Sequence, residues 1–267
     1  MAAGSDLPGS AGGDRAADHD RVRDSARHAR RDYRLEPRPA AEGGQARVFR
    51  AVHRPTSTPV AFKQLKSGTQ GALARMRREI EAARRFADHP NVMPVLDFGE
   101  DHRWFVMPLA EGTASDAAAD LADDRALRDL VTAVCEALRG PHREGWIHRD
   151  VKPDNVLRLH GRWVVADWGL GRRPRGQTTS PHRTEVGTNL GTEGFAAPEL
   201  AVDAHAAGPQ ADVYSIGQLI GWALTGALPR PNVPLLPPSG PWRAVVKEAT
   251  RHAPEQRPAD VDALLAL

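Results

Sequence analysis

His148-Arg149-Asp150-Val151-Lys152-Pro153-Asp154-Asn155, with Asp167-Trp168-Gly169 shortly after it, is the stretch on which the reading of this chain turns. Two carboxylates, Asp150 and Asp167, and one amide, Asn155, are spaced to lie on neighbouring turns. Such a set can orient a hydroxyl and hold a divalent cation against a nucleotide's phosphates. Lys152 follows the first acid by two positions and adds a cation able to neutralise charge on a transferring phosphoryl group.

Lysine is otherwise scarce. Of the 36 Lys and Arg residues only Lys63, Lys66, Lys152 and Lys247 are lysines, and two of them, Lys63 and Lys152, fall on motif positions. The chemistry supplies a reason, because a compact ammonium reaches a phosphate oxygen in a tight cleft where a planar guanidinium fits poorly. A formal charge of +2 implies no nucleic-acid partner, and 267 residues with 40% hydrophobic content suffice for one large domain or two packed lobes. The single cysteine, Cys135, reads as a small buried hydrophobe in a reducing compartment. With no apolar run of spanning or signal-peptide length, the expectation is a cytoplasmic protein without a membrane span.

Outward from the catalytic stretch, the composition divides the chain. Residues 1–32 are Gly, Ala, Asp and Arg with almost no large aliphatics except Leu7 and Val22, and read as a disordered tail. Short β-prone runs follow at 33–41, 47–53, 59–65, 93–98 and 103–107, with one amphipathic helix over 71–87 between the third and fourth. After Leu109 the pattern is mainly helical, over 124–144, 210–225, 242–252 and 259–267, with a proline-crowded loop at 229–241. Strands first and helices later predict an α+β architecture.

Two further motifs complete the picture. Val60-Ala61-Phe62-Lys63 ends a strand on a lysine, and Gly191-Thr192-Glu193-Gly194-Phe195-Ala196-Ala197-Pro198-Glu199 closes an Arg-, Thr- and Gly-rich segment. On these residues the chain resembles the eukaryotic-type Ser/Thr protein kinases in their bacterial form, from about Tyr33 to its end. The resemblance implies a bilobal fold: a five-stranded antiparallel sheet plus one helix in an N-lobe, 33–109, and a mainly helical C-lobe, 110–267. It implies ATP as phosphoryl donor, with Mg²⁺, or Mn²⁺ in its place, held by Asn155 and Asp167. Asp150 would accept or orient the substrate hydroxyl's proton, and Lys152 would point to Ser/Thr acceptors. Lys63 would contact the α- and β-phosphates and pair with Glu79 on the following helix, Glu81 being the competitor. Thr192 would shape the acceptor-peptide pocket, and Thr184 or Thr188 would take a phosphate paired by Arg149. Met107, the Pro108 carbonyl and the Ala110 amide would face the adenine, between Val48, Ala61 and Leu157. Glu199 would pair with Arg257, and Asp212 would accept backbone N–H groups of the catalytic loop.

The chain departs from the family in two places. The glycine-rich turn aligns as Ala41-Glu42-Gly43-Gly44-Gln45-Ala46-Arg47-Val48, with alanines at the first and third glycine positions. Asp167-Trp168-Gly169 carries Trp where the family has Phe, and the small Ala83 is expected to make room for it. These departures leave a nucleotide-binding pseudokinase open beside the active enzyme. A small-molecule phosphotransferase of similar fold is the third reading, which the Ala197-Pro198-Glu199 segment opposes. Expected partners are protein substrates and a second copy of the chain for trans-autophosphorylation.

Overall fold

Period-two alternation builds the first part of the molecule. Val60 and Phe62 are fully buried with Tyr33, Leu96, Trp104 and Val106, whereas Ala61 and Lys63 point to the opposite face of the strand, as successive strand residues must. The computed structural model describes residues 12–26, 28–173, 193–204 and 206–267. Its contacts divide the chain into two units, Met1–Lys66 with Val95–Leu109, and Ser67–Pro94 with Ala110–Leu267.

The first unit holds helix α1 (Gly12–Asp24) and strands β1 (Tyr33–Leu35), β2 (Ala41–Glu42), β3 (Ala46–His53), β4 (Thr58–Leu65), β5 (Asp97–Phe98) and β6 (Trp104–Pro108). All pairings are antiparallel, in the order β1-β3-β4-β6-β5 with β2 on β3. There are six strands where five were expected. The run 33–41 breaks in two because Pro37 and Pro39 have no N–H to give a ladder. The run 93–98 shortens to Asp97–Phe98, since Met93 and Pro94 belong to the second unit, where the Met93 N–H donates to Val165 O at 2.9 Å.

The disordered reading of residues 1–32 does not hold from Gly12 onward. Helix α1 covers Gly12–Asp24, and Val22 is fully buried in the core of the sheet. Composition missed this because one aliphatic side chain supplies the anchor while the rest of the helix stays polar; tertiary burial carries a helix that its own sequence would not. His28 follows, 2.9 Å from Asp97, whose other oxygen accepts from the Tyr33 hydroxyl at 2.7 Å.

The second unit contains α2 (Gln70–Arg85), β7 (Gly112–Thr113), α3 (Asp124–Arg143), β8 (Val156–Leu159), β9 (Arg162–Val165), α4 (Glu199–Asp203), α5 (Gln210–Thr225), α6 (Trp242–Ala249) and α7 (Val261–Leu265). Helix α2, whose lobe the sequence drew with the sheet, groups by its contacts with this unit. Helix α3 starts at an Asp123 cap that accepts from Arg125 N and Ala126 N. Helix α5 is apolar nearly all round and buried from Ala211 to Ala223, the signature of a helix at the centre of a core. Cys135 lies in that core, and burial pushes its thiol up to about 12, which fits the inert, hydrophobe-like reading.

The expected tie between Glu199 and Arg257 is present and bidentate, at 2.7 and 2.9 Å. The Arg257 side chain is fully buried, donates also to the carbonyls of Arg251, Gln210 and His252, and lies over the Tyr214 ring. Replacing it strands a partly buried carboxylate and three carbonyls at once. Arg257→Ala should therefore lower unfolding free energy by about 3–5 kcal/mol in urea titrations; a loss below about 1 kcal/mol would put this pair with ordinary surface ion pairs.

Candidate active site

The catalytic loop hangs from one buried carboxylate. Asp212, in the first turn of α5, accepts from His148 N at 2.8 Å and Arg149 N at 2.7 Å and contacts His142 Nε2 at 2.8 Å. Burial works against its charge, yet the hydrogen bond from His142, the field of that ring and the Arg149 amide hold its carboxyl below the ordinary value. Gripping two successive amides fixes the turn, and Arg149 sits in the left-handed region at φ 69°, a conformation a non-glycine residue keeps only when its surroundings enforce it. The fully buried His148 continues the scaffold: its Nε2 lies 3.0 Å from Ala166 O, and its Nδ1 accepts from Asp150 N at 3.2 Å. Those two partners together require the neutral ring with its proton on Nε2.

On this frame the predicted residues of the loop converge. Lys152 Nζ lies 3.1 and 2.9 Å from the two Asp150 carboxylate oxygens, and Asn155 Nδ2 donates to Asp150 O at 2.7 Å and Oδ2 at 2.9 Å. Ala166 N donates to Asn155 O at 2.9 Å, so the strand leading to Asp167 is stitched to the loop. Asp167 is itself left-handed, at φ 61°, and Gly169 leaves room for it: a Cβ there would come within 3.2 Å of Asp167 Oδ1. Burial raises the Asp150 carboxyl above the ordinary range and the nearby Asp167 charge adds to this, while Lys152 opposes both.

Helix α2 packs on the Asp167-Trp168-Gly169 turn. Arg78 donates to Gly169 O at 2.8 Å, and Trp168 is buried with its ring 6.1 Å from Phe86 and 4.6 Å from His148. The helix residue that shares a core cluster with Trp168 is Ala82; Ala83, which the sequence suggested, is buried but outside that cluster. Of the two competing glutamates, Glu79 is buried while Glu81 pairs with Arg173. Arg149 stands in the catalytic-loop motif, whereas Arg78 was not separable from the other arginines by pattern alone. They crowd with Arg172, Arg173 and Arg75, and burial together with the Arg172 and Arg78 charges takes the Arg149 guanidinium down to about 10.

The remaining predicted residues divide between the units. In the first, the register sets Val48 opposite Lys63 and Ala61 opposite Met107, so these four share the sheet face turned from the aromatic core, with Pro108 closing β6. Ala41 lies in β2, and Gly43 and Gly44 form the turn into β3. Neither glycine has positive φ, and a Cβ would meet only Ala46 O at 3.9 Å from Gly43 and nothing near Gly44. Neither the backbone conformation of this turn nor its protein neighbours require glycine at these two positions. Ala110 and Leu157 belong to the second unit, Leu157 in β8 opposite Val164. Thr184, Thr188 and Thr192 lie outside the described residues.

Comparison with known proteins bears on this arrangement directly. Residues 40–234 match the model of the protein kinase domain. The chain belongs to the protein kinase family. Among curated relatives of this kinase chain are the probable Ser/Thr-protein kinase pknA2 of Bifidobacterium longum, 32% identical over 74% of the chain, and the Ser/Thr-protein kinase PknL of Mycobacterium tuberculosis, 34% identical over 71%. The kinase chain spans 27% and 48% of the lengths of those two relatives. Among solved structures, the PpkA-294 apo form superposes with a TM-score of 0.67 at 21% identity, covering 88% of this chain and 95% of its own, a likeness of fold.

The raised Asp150 carboxyl has a consequence for rate against pH. Asp150 is ionised only above its raised value, so a reaction in which its carboxylate takes a proton should lose rate on its acid side at a pH above the ordinary Asp value of about 3.9. Since Lys152 holds the carboxyl down, Lys152→Met should move that limb to still higher pH. An acid limb that stays put in the variant would show that Asp150 is not the titrating group.

Proposed function

We propose that this chain is a Ser/Thr protein kinase domain, 33–267, that transfers the γ-phosphoryl group of ATP to a protein hydroxyl with Mg²⁺, or Mn²⁺ in its place. The observation that carries the proposal is Asp150, a partly buried carboxylate held by Lys152 and Asn155 on a loop suspended from Asp212. A carboxylate with a raised pKa is a better proton acceptor, and the lysine beside it opposes that rise. In the step proposed, Asp150 orients the acceptor hydroxyl and takes its proton while that oxygen forms a bond to the γ-phosphorus and the bond to the departing diphosphate oxygen breaks.

The donor set suits a hard cation. Asn155 commits its amide nitrogen to Asp150, which directs its Oδ1 elsewhere, and Asp167 supplies carboxylate oxygens on the adjoining turn. Among the described residues no cluster of three or more His, Cys, Asp or Glu side chains could hold a metal alone. Two protein oxygens, with the rest of the shell from phosphates and water, are what Mg²⁺ at a nucleotide site takes. When bound, the ion neutralises phosphate charge. Lys63 is proposed to do the same for the α- and β-phosphates, oriented by the buried Glu79, with Val48, Ala61, Met107, Pro108, Ala110 and Leu157 around the adenine and Thr192 at the acceptor pocket.

Arg78, Arg149, Arg172 and Arg173 favour a further part of the proposal: a phosphate on Thr184 or Thr188 would relieve the mutual repulsion that lowers the Arg149 guanidinium. We place this autophosphorylation in trans, between two copies in the cytoplasm; among the described residues no helix is long and apolar enough to cross a membrane. Incubation with MgATP and a generic acceptor protein should give ³²P transfer that Asp150→Asn lowers by about 10²–10⁴-fold and Lys63→Met also suppresses. Peptide mapping should find phosphate between 172 and 192. Wild-type protein that binds ATP but transfers nothing would make it a pseudokinase instead.

A further inference from the structure

Gln218 lies midway along α5 and is fully buried, among neighbours such as Ile216, Leu219 and Ile220. An amide in such a place is costly unless its bonds are made. Here they are: Nε2 donates to Gly194 O and to Val233 O, both at 2.9 Å, and approaches the Tyr214 hydroxyl at 3.3 Å, while Oε1 accepts from Leu235 N at 2.9 Å. One side chain thus joins three stretches of backbone: the central helix, the turn Glu193–Phe195 and the proline-rich loop.

Two glycines close the same seam. A Cβ at Gly194 would fall 2.0 Å from Pro229 O, and one at Gly221 would fall 2.0 Å from Leu235 O. Backbone therefore meets backbone on either side of Gln218, with no side chain between to absorb movement. The seam also reaches the catalytic loop, because Ala197 shares a buried cluster with Ile147 and Tyr214, and Ile147 stands just before His148-Arg149-Asp150. Gly194 to Ala197 is the part of the chain that passes from the proline-rich loop to the neighbourhood of the catalytic carboxylate.

We infer that Gln218 is a positioning residue for the protein acceptor: it clamps the 193–197 backbone to the loop 229–235 and so sets where an incoming hydroxyl meets Asp150. The inference rests on the protein kinase reading above. Gln218 touches no reacting atom, so its effect must run through acceptor placement, where small displacements are costly. An isosteric apolar replacement leaves the buried Gly194 O without this donor and removes the bonds to Val233 O and Leu235 N.

Gln218→Leu should raise KM for a protein acceptor about tenfold or lower kcat toward it by a similar factor, with KM for ATP changed less than about twofold by the same reasoning. Gly221→Ala, which pushes on Leu235 O without touching Gln218 or the acceptor segment, should move the same constants in the same direction. Circular dichroism and thermal unfolding decide whether each variant is folded. Acceptor constants that match wild type in a folded variant, or ATP and acceptor constants that shift together, would overturn the inference, as would failure of both variants to fold, which would make the seam purely structural. Failure of the kinase reading itself looks different, since wild type would then phosphorylate no acceptor at all.

Discussion

The carboxylate of Asp212 is the constraint on which the site depends. It sits where water does not reach, in the first turn of the most buried helix, and its oxygens are taken by two successive amides of the catalytic loop and by a histidine ring. A charge so placed is stable only with those donors in position, and the donors are the backbone of His148 and Arg149. The loop's shape follows: a left-handed Arg149, a His148 held by Asp150 N and Ala166 O, and a carboxylate at 150 presented to Lys152 and Asn155. The chemistry sits on a loop, but its precision is borrowed from the core.

Helix α5 extends that logic along its length. Asp212 holds the catalytic loop, Tyr214 receives the Arg257 guanidinium that binds Glu199, and Gln218 binds Gly194 and the proline-rich loop. These three positions lie on one helix, so a single rigid element organises the loop, the end of the segment that follows Gly169, and the loop after the helix. Polar groups in its otherwise apolar surface act as fixed points, each fully bonded and each tied to a different stretch of irregular backbone.

Much of this was legible in the residues. The strand Val60-Ala61-Phe62-Lys63 announced its two faces by alternation, and the loop from His148 to Asn155 stood out by a dense sequence of groups suited to phosphoryl transfer. The pairings of Glu199 with Arg257 and of Asp212 with the loop amides were expected from the family resemblance, and both are present. Less was visible where a single side chain decides. Val22 carries α1 into the core although its neighbours read as disorder, Ala82 rather than Ala83 shares the core of Trp168, and Gly43 proved to need no special backbone conformation.

By itself the sequence determined which groups are present and in what order: the acids, the amide, the scarce lysines and the period of each element, since these are local and a periodic pattern admits one packing face. Tertiary structure alone decided which of many arginines gather around Gly169 and Arg149, and which backbone groups a mid-helix glutamine binds. The reason is physical. A guanidinium or an amide has no preferred neighbour written in its own segment, and its role is set by whichever buried donors and acceptors the packing of distant segments leaves within reach.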